Sequence, residues 1–242
     1  MPWDFALILV FLATAVPFLG RHRIRQLMRM PQTSKTDRLA LYRSTVVYQW
    51  IAAAVIFWRA RAHRVAASSL GLAIRDPAII LAIAVLLSAL VLANQLVSLR
   101  RLAREPSTTG AILPQIALKV FPHDTSERVA FSGVVLTVSI CEEFVFRGFV
   151  QHVLENASHG SLWIGILGSA ALFAVAHLYQ GRRGLFATFV VGALFSAIRS
   201  GTGSLFAPMA AHFTADLTAG FLAPARLALA PSVGGEDKTS VL

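Results

Sequence analysis

The sequence contains a single cysteine, Cys141, so the chain cannot form an intrachain disulfide, and cysteine usage does not identify a redox compartment. Charged residues are also scarce: they make up 14% of the 242 residues, whereas 56% are hydrophobic. An ordinary soluble domain carries about 25% charged residues. The composition therefore excludes an ordinary soluble domain and favours an integral membrane protein.

Acidic residues are especially few, with 12 Asp and Glu against 22 Lys and Arg and a formal net charge of +10. In a membrane protein, arginines in loops that contact lipid headgroups account for such an excess. Because no soluble domain remains to bind nucleic acid, we expect the bilayer to be the partner of this charge and expect no nucleic-acid partner. The start, "MPWDFALILVFL", lacks a basic region and carries Asp4. It predicts a retained first span and not a cleaved signal peptide.

Long apolar segments recur along the chain, and a transmembrane helix needs roughly 20 such residues. They lie at 3–19, 41–58, 78–97, 129–154, 162–178, 185–198 and 205–222. They predict an all-α fold, a polytopic integral membrane helical bundle with about seven transmembrane helices. Between the third and fourth segments, "GAILPQIALKVFPHD" is apolar but too short to cross, which predicts an interfacial or re-entrant segment.

The loops on the two sides of the predicted bundle differ in positive charge, and such a difference sets orientation because cytoplasmic loops are enriched in Lys and Arg. One side holds Arg21, Arg23, Arg25, Arg29, Lys35, Arg38, Arg43, Arg100, Arg101, Arg104, Lys119, Arg128, Arg182, Arg183, Arg226 and Lys238. The other side holds Arg59, Arg61, Arg64, Arg75 and Arg199. The bias predicts an outer N-terminus and a cytoplasmic C-terminus. As a separate expectation, the membrane is the plasma membrane of a bacterium.

The fourth apolar segment is interrupted by three charged groups, in "VVLTVSICEEFVFRGFVQHVL". A charge at the bilayer centre costs roughly 2.5–3.5 kcal/mol on insertion scales. Glu143 and Arg147 are four residues apart, which places them on one helix face and predicts a structural ion pair. Glu142 lies about 100° round the helix from Glu143. It has no partner on its own helix, so it would either take up a proton or find a partner on another helix.

Polar groups in two later segments are the candidates for that partner. "LFAVAHLYQG" carries His177, and "MAAHFTADL" carries His212 and Asp216 four residues apart. With a rise of about 1.5 Å per residue, these groups and Glu142 occupy a common band from mid-membrane to the cytoplasmic half. The sequence thus allows Glu142, His177, His212 and Asp216 to converge inside the bundle.

Three short motifs, each in its own apolar segment, carry a family resemblance. "EEFVFR" fits a first motif of two glutamates and an arginine, "FAVAH" fits Phe-x-x-x-His, and "HFTAD" fits His-x-x-x-Asn/Asp. In this order they resemble the CPBP family (CAAX protease and bacteriocin-processing, formerly Abi) of intramembrane proteases, over roughly residues 128–222. The resemblance implies an intramembrane endopeptidase that hydrolyses membrane-associated or prenylated CAAX-type peptides.

The resemblance also implies roles for four residues. Glu142 would activate the attacking water, and His177 would assist as base or orienting group. His212 and Asp216 would polarise the scissile carbonyl or stabilise the oxyanion. Members of the family often have Asn at the position of Asp216. An ionised Asp cannot donate to an oxyanion, so its role as a protonated donor, as a partner orienting His212 or as a metal ligand stays open.

Metal dependence is a second open question, because the family has been described both as metalloprotease and as metal-free glutamate protease. Glu142, His177 and His212 are plausible zinc ligands that would leave a fourth position for water. The chain has no H-E-x-x-H motif. We therefore predict no certain cofactor and favour a metal-free site, with zinc as the alternative.

The resemblance divides the chain into three parts. Residues 1–127 hold N-terminal transmembrane helices with the interfacial segment, 128–224 a CPBP-like catalytic helical core, and 225–242 a polar C-terminal tail. The expected partners are a peptide or membrane-protein substrate and the lipid bilayer. Two other functions stay open: a non-catalytic immunity or scaffold protein that keeps the fold, and a proton-coupled transporter that uses the buried acids and histidines as a relay.

Overall fold

The computed structural model describes residues 1–104 and 112–228, and these are helical almost throughout. The α-helices are α1 (Trp3–Arg29), α2 (Lys35–Ala62), α3 (Pro77–Arg104), α4 (Ile112–Val120), α5 (Thr125–Glu142), α6 (Gln151–Ala157), α7 (Leu162–Ala176), α8 (Gly181–Thr202) and α9 (Phe206–Ala228). A π-helix, Glu143–Val150, joins α5 to α6, and a 3₁₀ turn, Leu178–Gln180, lies between α7 and α8.

The helical bundle confirms the predicted fold class. Five helical segments in the described residues are long and apolar enough to cross a membrane: Trp3–Arg29, Lys35–Ala62, Pro77–Ser98, Thr125–Ala157 and Leu178–Thr202. The shorter apolar helix α7 and helix α9 pack with them. Each of the seven predicted segments is therefore helical. Large apolar side chains on their outward faces are exposed, as expected for surfaces that contact lipid.

Several helices are longer than their apolar segments. α1 continues to Arg29, and α2 begins at Lys35 after a capping box in which Ser34 and Asp37 satisfy each other's backbone amides. Charged residues end a hydrophobic run without ending a helix, because Lys and Arg are good helix formers. α9 likewise runs to Ala228, beyond the predicted start of the tail at 225. The rest of that tail, 229–242, lies outside the described residues.

Helices α2 and α5 run in the same direction, side by side. Arg38 of α2 pairs with Glu127 of α5 at 2.8 Å, with the two side chains 7% and 0% exposed. Further along both helices the Tyr42 and Phe131 rings lie 5.6 Å apart. Because later residues of α2 contact later residues of α5, the two helices must be parallel. α9 runs the opposite way, since its late residue Phe221 contacts Phe131.

One end of the bundle is closed by the connection between α2 and α3. Leu70 in this connection is fully buried, and Leu72 forms an isolated β-bridge with Ser204, just before α9. A Cβ built on Gly148 of the π-helix would lie 3.0 Å from the Leu70 carbonyl oxygen. This close approach explains why a glycine stands at position 148.

The short helix α4 lies at the opposite end of the bundle, where α1 ends and α2 begins. Lys119 of α4 donates to the last carbonyls of α1, at 3.0 Å for Leu27. The Tyr42 hydroxyl of α2 donates to the Val120 carbonyl at 2.6 Å. Nine residues span about 14 Å, less than half of the hydrocarbon core. Its predicted position at the membrane interface stays a prediction.

Candidate active site

Glu142 is the last residue of α5, and its carboxylate has one neutral donor. Gln49 of α2 donates its side-chain N–H to Glu142 Oε1 at 2.8 Å. The other oxygen, Oε2, is buried and has no hydrogen-bond partner in the described part of the chain. Glu142 therefore keeps one carboxylate oxygen free to accept a proton or a hydrogen bond.

Glu143, the first residue of the π-helix, has cationic or proton-donating partners instead. Its side chain is 0% exposed, and Oε1 lies 3.2 Å from Arg147 Nη1 and 2.8 Å from His212 Nδ1. The spacing of Glu143 and Arg147 thus brings them together inside the bundle. Two adjacent carboxylates on one helix therefore have different surroundings.

Arg147 is 0% exposed and is surrounded mainly by apolar groups. Its guanidinium carbon lies 3.9 Å from the centre of the Phe173 ring and 5.7 Å from that of Phe195. None of its three side-chain nitrogens has hydrogen-bond geometry with another described group. The Glu143 charge and the Phe173 ring are consequently its main stabilising contacts.

His177 lies directly after α7 and caps that helix. Its Nδ1 is 2.8 Å from the carbonyl oxygen of Phe173, one of the last carbonyls of the helix, which have no intrahelical partner. Because a carbonyl oxygen only accepts, Nδ1 is the protonated nitrogen, and in the neutral ring Nε2 carries the free lone pair. The same bond explains why α7 ends here, inside the bundle, after 15 residues.

His212 of α9 lies between two carboxylates. Nδ1 faces Glu143 at 2.8 Å, and Nε2 lies 3.5 Å from Asp216 Oδ2 one turn later. The His212 side chain is 11% exposed and that of Asp216 is 43% exposed. A histidine can donate from both nitrogens only as the imidazolium. Because the Asp216 side chain is exposed and that of Glu143 is buried, the site is more open at Asp216 than at Glu143.

The structure assigns partners that the sequence did not. Glu143, and not Glu142, contacts His212 directly, although the sequence grouped His212 with Glu142. Phe173 connects the two sides of the site, since its ring lies 4.6 Å from that of His177 and 6.3 Å from that of His212. Gln49 was missed. The one signal for it is a glutamine in the middle of an apolar segment, where a polar side chain usually faces the bundle interior.

The predicted zinc ligands do not form a metal-binding set in this arrangement. Within residues 1–104 and 112–228, no group of three or more His, Cys, Asp and Glu side chains is placed to hold a metal ion. Both nitrogens of His212 face carboxylates, at 2.8 and 3.5 Å. A zinc ion held by Glu142, His177 and His212 would require these contacts to rearrange.

Comparison with known proteins extends the resemblance. Residues 125–218 match the family described as "Type II CAAX prenyl endopeptidase Rce1-like". An "Uncharacterized 24.3 kDa protein" of Escherichia coli is 32% identical over 83 residues, which are 34% of this chain. The aligned part of the chain spans 38% of that relative's length. No solved structure matches. The matched region contains all three motifs, so over residues 125–218 the chain is similar to the Rce1-like proteins, in agreement with the resemblance to the CPBP family.

Proposed function

We propose that the chain is an intramembrane endopeptidase that hydrolyses membrane-associated peptides of the CAAX type with a water activated by Glu142. The family description supports the reaction class. The observation that carries the residue assignment is the contrast between the two adjacent glutamates. Glu143 faces Arg147 and His212, whereas the hydrogen-bond donor to Glu142 is a neutral amide; Oε2 of each carboxylate is buried without a partner in the described residues.

The contrast matters because a general base must accept a proton, and cationic partners stabilise the charged carboxylate and weaken it as a base. In the proposed reaction, a water hydrogen-bonded to Glu142 Oε2 attacks the scissile carbonyl carbon while Glu142 accepts its proton. The Nε2 lone pair of His177 helps to orient this water. The carbon–nitrogen bond then breaks, and the proton passes to the leaving amine.

His212 is the proposed donor to the developing oxyanion. Its Nδ1 is held by Glu143, so the ring orientation is fixed, and Nε2 points toward the more open side at Asp216. Donors that are fixed before the reaction stabilise a developing negative charge most effectively. Asp216, an acceptor when ionised, orients the His212 ring before substrate binds, and its 3.5 Å contact with Nε2 gives way when the single Nε2–H donates to the oxyanion.

We propose that substrate enters from the end of the bundle at which α1 ends and α2 begins. Exposure rises along α9 from Ala211, which is fully buried, to Asp216. The opposite end is closed by Leu70. The entry end also carries the arginines of the first loop, so by the positive-inside rule it faces the cytoplasm. A cytoplasmic C-terminus and a location in the bacterial plasma membrane are parts of the same proposal.

The test is Glu142→Gln in purified protein, assayed in detergent with an internally quenched, farnesylated peptide ending in Cys-aliphatic-aliphatic-X. We expect the variant to fold and to lose cleavage, because an amide cannot take the proton of the attacking water. Glu155→Gln is the matched control. Glu155 lies on the same continuous helical rod, pairs with Arg199 at 3.4 Å, and plays no part in the proposed reaction. It should retain cleavage.

Wild-type turnover by well-folded Glu142→Gln would contradict the assignment of Glu142. Membrane-fraction proteomics of cells that express wild type or Glu142→Gln would then identify the physiological substrates. Peptides that accumulate uncleaved only with the variant are the expected result. Identical membrane proteomes in the two strains would speak against a proteolytic function.

A further inference from the structure

Gln49 makes a contact that the family match does not account for. It lies on α2, far outside residues 125–218, yet its side-chain amide donates to Glu142 Oε1 at 2.8 Å. Glutamine is uncommon in the middle of an apolar span because its amide needs partners there. A half-buried hydrogen bond to the proposed general base supplies one.

The backbone around Gln49 is fixed against α5 and the π-helix on both sides. Toward the start of α2, Arg38 forms the buried ion pair with Glu127. Toward its end, the Phe57 ring lies 6.2 Å from that of Phe144. Contacts before and after Gln49 therefore fix the register of α2 against α5. The Gln49 amide is consequently held at the same position along the helix axis as Glu142.

The hydrogen bond makes the two oxygens of the Glu142 carboxylate inequivalent. Oε1 is occupied by the Gln49 amide, and Oε2 is buried without a partner in the described residues. A carboxylate held through one oxygen cannot rotate freely about its last bond, so its second oxygen keeps one direction. A neutral donor fixes the group without adding a positive charge beside it.

We propose that Gln49 is a positioning residue that orients the Glu142 carboxylate and leaves Oε2 for the attacking water. The N-terminal helices then contribute to the reaction itself, and the matched region alone is incomplete as a catalytic unit. This inference rests on the proposed function, because it assigns Gln49 a role in the same reaction.

The kinetic test compares Gln49→Met with wild type on the farnesylated, internally quenched peptide. Methionine keeps the length and most of the volume of glutamine and removes the donor. We expect kcat to fall about ten- to a hundredfold, as for other hydrogen bonds that orient a reactive group. KM should stay within about twofold, since Gln49 contacts the carboxylate and is not proposed to bind peptide. The matched control is Thr45→Val, one turn earlier. Among the described residues, the Thr45 hydroxyl bonds only to the Leu41 carbonyl of its own helix.

A double-mutant cycle on stability tests the contact independently of any substrate. Gln49→Met and Glu142→Met each leave one polar group without its partner, whereas the double variant leaves neither. We expect the Tm of the double variant in detergent to fall by less than the sum of the falls in Tm of the two single variants. An additive cycle would overturn the inference, as would unchanged kcat in Gln49→Met.

The outcomes separate the two proposals. Loss of cleavage in Glu142→Gln with wild-type kcat in Gln49→Met contradicts the role of Gln49 and leaves the proposed function in place. Wild-type cleavage by Glu142→Gln contradicts the proposed function, and with it the positioning role. If wild type does not cleave this peptide, the CAAX-type substrate is wrong, and the melting cycle alone then decides whether Gln49 holds Glu142.

Discussion

Replacing Arg147 by methionine should destabilise the bundle by about 3 kcal/mol, the lower end of the 3–5 kcal/mol typical of breaking a buried ion pair. Both Arg147 and Glu143 are 0% exposed, and the closest nitrogen and oxygen lie 3.2 Å apart. Without Arg147, the Glu143 carboxylate remains buried with one other partner, His212 Nδ1 at 2.8 Å. That remaining contact is the reason to expect the lower end of the range.

The reverse change, Glu143→Gln, should be at least as damaging. It leaves the guanidinium of Arg147 against the ring of Phe173 at 3.9 Å. A desolvated cation–π contact contributes about 2 kcal/mol, which is less than the several kcal/mol needed to bury an unpaired charge. The double variant, Glu143→Gln with Arg147→Met, buries neither charge. The two single losses should therefore exceed the loss in the double variant by about 1–3 kcal/mol.

The assay is equilibrium unfolding of the four proteins in mixed micelles, followed by circular dichroism. Lys35 and Asp124 form the control pair: they lie 2.8 Å apart with side chains 50% and 46% exposed. The hydrogen bond from Lys35 and the other donors to Asp124 lower the pKa of that carboxyl, but solvent screens the pair. The cycle Lys35→Met with Asp124→Asn should show much weaker coupling. Additive losses at Glu143 and Arg147 would refute the reasoning, because independent sites do not share a buried charge.

Two further predictions concern packing and metal. Gly148→Ala should destabilise the protein by about 1–3 kcal/mol, because its Cβ would lie 3.0 Å from the Leu70 carbonyl oxygen. The control is Gly133→Ala, whose Cβ meets nothing within 4 Å and which should stabilise the protein by about 0.5–1 kcal/mol. Equal effects of the two variants in thermal melts would contradict this prediction. Peptide cleavage should survive chelator treatment, because both nitrogens of His212 face carboxylates. Elemental analysis of the active, chelator-treated protein should find less than one zinc per chain. Stoichiometric zinc whose removal stops turnover would overturn the metal-free proposal.

The sequence predicted the features that depend on local spacing. Apolar runs located the helices because a membrane span must satisfy its own backbone hydrogen bonds. The four-residue spacing of Glu143 and Arg147 placed them on one face, and the structure has them 3.2 Å apart. Helix ends were predicted less well. α1 runs to Arg29 because its arginines stop the apolar run and still favour helix.

The features that the sequence did not predict depend on how one helix is rotated against another. Glu142 and Glu143 are neighbours, so a rotation of about 100° decides which of them faces α9. That rotation is set by the packing of α2 along α5 and the start of the π-helix, where Arg38 binds Glu127 and Phe57 meets Phe144. The π-helix from Glu143 onward changes the rotation again. No local pattern in the sequence encodes either effect.

The same packing bears on how the chain divides into parts. The predicted boundary between 127 and 128 falls inside α5, which begins at Thr125, and it separates Glu127 from the rest of its helix. Glu127 is fully buried against Arg38 of α2. Removing the N-terminal helices would expose the apolar surroundings of Glu127. It would also remove Arg38, the partner of Glu127, and Gln49, the partner of Glu142. Besides the Glu143–Arg147 pair within the π-helix, the charged groups of α5 and the π-helix have partners on three other helices: Arg38 and Gln49 of α2, Phe173 of α7 and His212 of α9. Buried and half-buried contacts therefore cross the predicted boundary, and the division of the chain into parts stays a prediction.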